Sequence, residues 1–444
     1  MVAFRHVEPV PALAELWAGS RGYLPGKGPV AAARQRRFDA FMATGIPTRR
    51  VEAWKYTDIA KWANRPLALP PRVTPGADRV AAWFAGGPRA RRLIFVNGHI
   101  QPELCHVGGL PKGVTLRGLG RAIEDDPERA AQALGEGDAG RSLSDLNAAF
   151  ATSGAWIELA DGVTLDEPVQ LLFLTLGEPG HAVMASPRNL VRLGRNARLR
   201  LIETHVALGE GPCLTNLVTA LSLAEGAELV HDRLELGRDA TGLVGRIEGT
   251  LAAKARLQAT TVTLGGGLVR NEAELKLQGT GIEALLNGLY MPTGTEHVDT
   301  QLRLVHEAPG CHSNQFYKGV VDGRSHAVFS GKIMVERAAQ KTDAYQSNAN
   351  LLLSDDAEID TRPELEIYAD DVKCSHGATV GDLDPVALFY LRSRGLPLDD
   401  ARGLLVYGWA NEVIERMGDD TARAQARKAV QARLPGRIAL DLPA

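Results

Sequence analysis

The chain has 444 residues, of which 45% are hydrophobic and 23% charged, with a formal net charge of −3. That length exceeds one compact core and predicts two or three domains; the charge argues against nucleic acid as the main partner, since phosphate binding needs a basic excess. No apolar run approaches the roughly 20 residues that cross a bilayer, and Met1–Pro11 lacks an apolar h-region, so neither a membrane nor a secretory route is expected.

The first ~150 residues read as mixed and largely helical. Val30–Ala43 is a helix candidate, with Ala31, Phe38, Phe41 and Met42 on one broad face, ending before Gly45 and Pro47. Residues 49–62, RRVEAWKYTDIAKW, are unusually aromatic for a chain with only 5% Phe, Trp and Tyr. Leu93–Val96 followed by Asn97-Gly98 predicts a strand ending in a turn.

From about Trp156 short strands alternate with Gly, Asn, Asp and Pro turns, and no helix-length segment separates them. A sandwich and a solenoid both fit that texture. A recurring turn, alanine and strand favours the solenoid: Ala197, Ala227, Ala255, Ala284, Ala327 and Ala357 are separated by 30, 28, 29, 43 and 30 residues. Stacked coils of this kind build one continuous core and need their open ends covered. The expected organisation is a mostly helical region 1–150, a β-solenoid 151–381 and a helical region 382–444, whose helices are natural covers for the ends.

In the tail, residues 397–417 predict a helix with Asp399 or Asp400 capping its start. Leu404, Leu405, Val406, Tyr407, Trp409, Val413, Ile414 and Met417 are apolar around much of its circumference, so it should pack on two sides, one of them open to another chain. A second helix should run from Asp420 to Leu434 and stop at Pro435-Gly436.

Four cysteines, Cys105, Cys213, Cys311 and Cys374, are widely spaced and form no CxxC, which suits a reducing cytoplasm and no disulfide framework. Cys374-Ser375-His376 places a thiol and an imidazole two residues apart, on one side of a strand. Such donors suit zinc, copper and iron–sulfur species, but they are half a site; spacing alone fits a buried cysteine beside a hydrogen-bonded histidine better. His306, Cys311 and His312 form a looser group that reads as structural. The acidic run from Asp355 to Asp371 alternates, with Leu365, Ile367 and Ala369 dry and Glu364, Glu366 and Asp370 wet, so it reads as a solvated strand face. There is no GxxxxGK[ST], no GxGxxG after a strand, no HExxH and no GxSxG.

Longer stretches carry a more specific signal. KTDAYQSNANLLLSDDAEIDTRPELEIYADDVKCSHGATVGDLD, LFYLRSRG, EAWKYTD (Glu52–Asp58), LNAAFATSG (Leu146–Gly154) and HEAPGCHSNQFYKG (His306–Gly319) together resemble the SufB/SufD family of iron–sulfur cluster assembly scaffolds. The SufD type fits better than the SufB type: Phe389-Tyr390-Leu391-Arg392-Ser393-Arg394-Gly395 has leucine where SufB-type chains carry a cysteine. The resemblance implies a right-handed parallel β-helix core and a non-catalytic scaffold. It implies a SufB partner near the end of the β-helix and a SufC ATPase on the C-terminal helices, with Leu404, Leu405, Tyr407, Trp409, Val413 and Ile414 as candidate contacts. It also implies a transient iron–sulfur cluster at the SufB interface, to which His376, with Cys374 beside it, contributes. A reduced flavin (FAD) accompanies some assemblies, and no residue of this sequence places it. A homodimer of the isolated chain stays open. Two rival readings are a carbohydrate-cleaving β-helix enzyme, disfavoured by the low aromatic count and missing leader, and a structural adaptor without metal contact.

Overall fold

The computed structural model describes residues 7–8, 10–135, 141–178 and 180–436; the segment Met1–His6, on which the reading of no secretory leader partly rests, and residues 437–444 of the expected tail region lie outside them. The chain is mainly β, a parallel solenoid of about seven turns with helices toward both termini. Each coil contributes one strand to each of two sheets. Sheet 1 stacks Val169–Thr175, Arg198–Ala207, Glu228–Leu236, Arg256–Leu264, Glu283–Tyr290, His312–Val321, Asp343–Leu352 and Lys373–Gly381. Sheet 2 stacks Ala155–Leu159, Arg188–Leu193, Cys213–Leu223, Thr241–Leu251, Leu268–Leu277, His297–His306, His326–Val335 and Glu358–Ile367.

Arg198, Glu228, Arg256, Glu283, His312, Asp343 and Lys373 lie in register, spaced 30, 28, 27, 29, 31 and 30 residues apart. Side chains alternate, so Leu199 and Leu201 enter the interior while Arg198 and Arg200 stand in solvent. Ala197, Ala227 and Ala255 occupy one fully buried corner, each carbonyl accepting from the amide that opens the next coil's strand. Ile282, Cys311 and Thr342 continue that corner. Ala284 lies within a strand, and Ala327 and Ala357 belong to the other sheet. Three of the six alanines therefore mark the repeat, and the interval of 43 is a crossing between sheets.

The N-terminal region is not purely helical. Arg91–Val96 joins sheet 1 beside Val169–Thr175 and turns back into His99–Ile100, with Asn97 (φ 49°) and Gly98 (φ 75°) both left-handed, as a tight hairpin requires. The helix Pro29–Thr44 has proline at its start and Gly45 (φ 62°) at its end. With Leu119–Asp125, Pro127–Leu134 and Ser142–Phe150 it covers the first coils of sheet 2. The segment after it docks farther along that sheet: Trp54 lies under Arg270, Thr57 donates to Asp299, and Glu52 pairs with Arg362 at 2.7 Å.

The C-terminal helices Leu398–Ile414 and Asp420–Gln431 lie on the outer face of sheet 1, not across the solenoid's end. Asp399 and Asp400 sit in the first turn, where they complement the helix dipole, and neither caps it. The corner between the two helices is anchored by Asp232, whose carboxylate accepts from the amides of Gly418 and Asp419 at 2.8–3.0 Å. Among the described residues no helix is long and apolar enough to cross a membrane.

Candidate functional site

The last strand of sheet 1, Lys373–Gly381, pairs only with Asp343–Leu352, and the last strand of sheet 2, Glu358–Ile367, pairs only with His326–Val335. Their outer edges face no strand among the described residues. His376 continues an inward-facing column: Leu201, His231, Ala259, Leu286, Gln315, Gln346 and His376 lie one above another. Because it stands on the last rung, the side that faces the core in earlier coils is open here, and His376 is exposed. Cys374 shares that face two residues away, as the strand period requires, and Ser375 points outward. Cys374 is half-buried, packed against the cluster of Ile333, Val335 and Ala344. Burial pushes its thiol above the ordinary range, a backbone bond to Ala344 opposes this, and Asp343 adds to the rise. The two donors thus differ: an open imidazole and a partly sheltered, protonated sulfur.

The floor beneath them is polar. Earlier coils fill the interior with Leu229, Leu257, Leu275, Leu277, Leu302 and Leu304. Under the last rung stand Gln315, Gln346, Asn348 and Asn350, all at most 3% exposed. Asn348 donates to Tyr290 Oη at 2.8 Å, Tyr290 donates to Asn350 at 2.6 Å, Asn350 donates to Asn348 at 2.8 Å, and Thr361 donates to Asn348 at 2.8 Å. In DAYQSNANLL these amides alternate as solvent-facing residues would, and the sequence reading passed over them. A signal was present: Gln and Asn repeated at period 2 build amide ladders between stacked strands. The rim is apolar and open, with Tyr368 56%, Val380 46%, Tyr345 39% and Ile367 39% exposed.

The looser group does not converge. His306 is fully buried, shares a 2.9 Å hydrogen bond with Ser313 Oγ, and is driven by burial to a pKa of about 4. The Cys311 thiol donates to the Gly279 carbonyl at 3.1 Å, and His312 lies 3.6 Å from Asp343. Among the described residues no cluster of three or more His, Cys, Asp or Glu side chains is arranged to hold a metal. The acidic strand follows its alternation at Leu365 and Ala369, which face the interior cluster, and at Glu364 and Glu366, which stand outward on Lys332. Ile367, expected on the dry face, is exposed because the coil above it that would cover it is missing among the described residues.

The structure divides the six apolar residues of the tail helix. Tyr407, Val413 and Ile414 are at most 5% exposed and pack with Val262, Leu289 and Val320 of sheet 1 and with Ala426 and Val430 of the last helix. The second apolar side is thereby covered by this chain's own helix. Leu404 and Leu405 stay half-buried, and Trp409 lies under the Lys318 ammonium at 3.9 Å. The larger open apolar surface is on the preceding helix, Pro385–Ser393, where Val386 is 72% and Phe389 73% exposed.

A groove of about 460 Å³ runs between Val51–Tyr56 and the outer face of sheet 2. Every Arg and Lys lining it is ion-paired: Arg246 with Glu248, Glu272 and Glu274, Arg270 with Asp299, Arg303 with Glu274, Lys332 with Glu364 and Glu366, and Arg362 with Glu52. It holds no free cation for a pyrophosphate, and these residues do not single out a flavin site.

Comparison with known proteins matches two family models in succession: the SufBD protein N-terminal region over residues 25–171, and the SUF system FeS cluster assembly SufBD core domain over residues 175–409. The chain is 32% identical to iron–sulfur cluster assembly protein SufD of Escherichia coli over 404 residues, 90% of this chain and 92% of that one. It is 31% identical to an iron–sulfur cluster assembly SufBD family protein of Synechocystis over 409 residues, 90% of each. It is 22% identical to SufD of Bacillus subtilis over 291 residues, 65% of this chain and 66% of that one. With a stacked parallel core, a matching N-terminal region and end-to-end similarity to SufD, the chain belongs to the SufB/SufD family of iron–sulfur cluster assembly proteins, on its SufD-like side.

Proposed function

We propose that this chain is a non-catalytic scaffold subunit of cytoplasmic iron–sulfur cluster assembly. It pairs with a SufB-type partner at the open end of the solenoid and binds a SufC-type ATPase through its helical tail. It lends His376, with Cys374 beside it, to a cluster that is cargo and not a resident cofactor. The observation that carries the reading is the exposed imidazole of His376 on a terminal rung whose edge is unpaired.

A neutral imidazole offers one lone pair to iron while its other nitrogen holds a proton. Cys374 must first shed a proton that burial favours, so His376 is the leading donor and Cys374 an auxiliary one. One or two ligands from one chain hold a cluster weakly, which suits a product that must leave. The apolar rim of Tyr345, Tyr368 and Val380 would exclude water once a partner covers it. On the tail, Leu404, Leu405 and Trp409 remain candidate contacts for the ATPase, together with Val386 and Phe389 on the helix before. ATP hydrolysis belongs to that partner, since this sequence contains no phosphate loop.

The test is co-expression of the full chain with and without the partner genes, followed by iron and sulfide analysis. His376→Ala should cut cluster yield several-fold while the complex still co-purifies. Unchanged yield would leave a purely structural adaptor, the second reading. Recovery of the isolated chain as a dimer would assign the same open end to a second copy in the partner's absence.

A further inference from the structure

The column beneath His376 contains an incomplete hydrogen-bond ladder. Gln346 lies one rung below His376 in sheet 1, and Gln315 one rung below that. Rungs of a sheet are about 4.8 Å apart, the spacing at which stacked side-chain amides bond to one another. Gln346 donates its Nε2 to Gln315 Oε1. That bond commits the amide nitrogen downward. The amide oxygen, Oε1, is buried without a hydrogen-bond partner among the described residues, and so is Gln315 Nε2 on the rung below, so the ladder is open at both ends. Gln346 is only 3% exposed. A buried amide acceptor left empty costs roughly 1–3 kcal/mol, so such an atom needs a reason. Sheet 2 makes room for this side chain. Gly331 faces it across the interior, and a Cβ there would overlap the Gln346 amide. His376 is the neighbour on the rung above, and its ring has no hydrogen bond to any described residue.

We propose that Gln346 is the positioning residue for His376, a proposal that rests on the function proposed above. Rotation of the exposed His376 ring about its side-chain bonds brings an N–H onto this Oε1, a contact that the described conformer leaves unmade. This selects one tautomer and turns the other nitrogen, with its lone pair, toward the open end of the solenoid. Outer-shell acceptors of this kind raise the basicity of a histidine ligand, and their loss typically lowers metal affinity about 10- to 100-fold. Gln346 touches no cargo and acts only through the ring above it.

The test uses the full chain labelled with ¹⁵N-histidine and side-chain ¹H–¹⁵N NMR, with the His376 signal assigned by its absence in His376→Ala. One tautomer should dominate in the parent protein. Gln346→Leu removes the acceptor, and Gly331→Ala crowds the amide from the opposite sheet. Both should give a mixture of tautomers, and iron retained after co-expression with the partner genes should fall about 10-fold in Gln346→Leu. A parent-like single tautomer in Gln346→Leu, or in Gly331→Ala should the first variant not fold, would overturn the proposal. The two readings fail separately. Full iron retention in His376→Ala removes the function of the ring, whatever its tautomer; loss there beside an unchanged tautomer in Gln346→Leu removes only the role of Gln346.

Discussion

The middle coils and the last coil are built on one repeat and filled differently, although the middle also encloses one buried polar cluster of Glu203, His205, His231, Arg233 and Glu235. Between Arg198 and His306 the interior is leucine-rich, and both sheet flanks are largely covered by helices or by the segment Val51–Trp62. From Gln315 onward Gln and Asn side chains join Phe329, Ile333 and Val335 in the interior, and the final strand has no buried side chain. A solenoid ending in leucines would leave an apolar face at its open end, a ready template for aggregation. An amide floor tolerates water while the end is free and gives hydrogen bonds when it is covered. The difference teaches that the covered middle coils carry most of the apolar packing, while the last coil presents hydrogen-bonding groups at an open end.

The contrast breaks most readily by cavity formation. Leu257 is fully buried in the middle coils, and Leu257→Ala should cost about 2–5 kcal/mol in denaturant unfolding. Val380→Ala, half-exposed on the last rung, should cost less than about 0.5 kcal/mol. Comparable losses at the two sites would mean that the terminal coil is as integral as the centre.

Acid sharpens the comparison. His306 lies in the interior as the neutral ring, with a pKa of about 4 set first by burial and then by His312. The unfolded chain takes up that proton near pH 6.5, so the stability His306 contributes is complete above about 6.5 and is lost as pH falls toward 4. Its size is roughly 2–3 kcal/mol. His306→Gln should shrink this limb of a stability-versus-pH curve, leaving the share of His297, which burial also holds at about 4, and the limb due to carboxylates.

A more modest effect concerns the tail. Asp232→Ala removes the acceptor of the Gly418 and Asp419 amides and should cost about 1–2 kcal/mol. Hydrogen exchange should quicken in Asp420–Gln431 and stay unchanged in Lys373–Gly381. Quickening in both would mean that the tail and the terminal rung open together.

The stacked core was legible because a coil repeat of 27–31 residues leaves its period in the sequence, although alanine traced only one corner of it. The pairing of Cys374 with His376 was legible because a strand's side-chain period is two. Residues 49–62 stood out by their aromatic content, but Trp54 on Arg270 and Thr57 on Asp299 join positions more than 200 residues apart, and no local pattern encodes that. Tyr407, Val413 and Ile414 were rightly apolar, yet which side met this chain's own sheet was not written in the helix.

By itself the sequence determined the repeat, the strand alternation, the approximate extent of the tail helices and the family, since each is carried by local spacing or by long matched segments. Only the tertiary structure decided that Gln315, Gln346 and Asn348 turn inward and that His376 stands on a rung with no strand above it among the described residues. The physical reason is that an amide is indifferent to burial when its neighbours on adjacent rungs satisfy it, so its polarity cannot announce which face it takes until the coils are stacked.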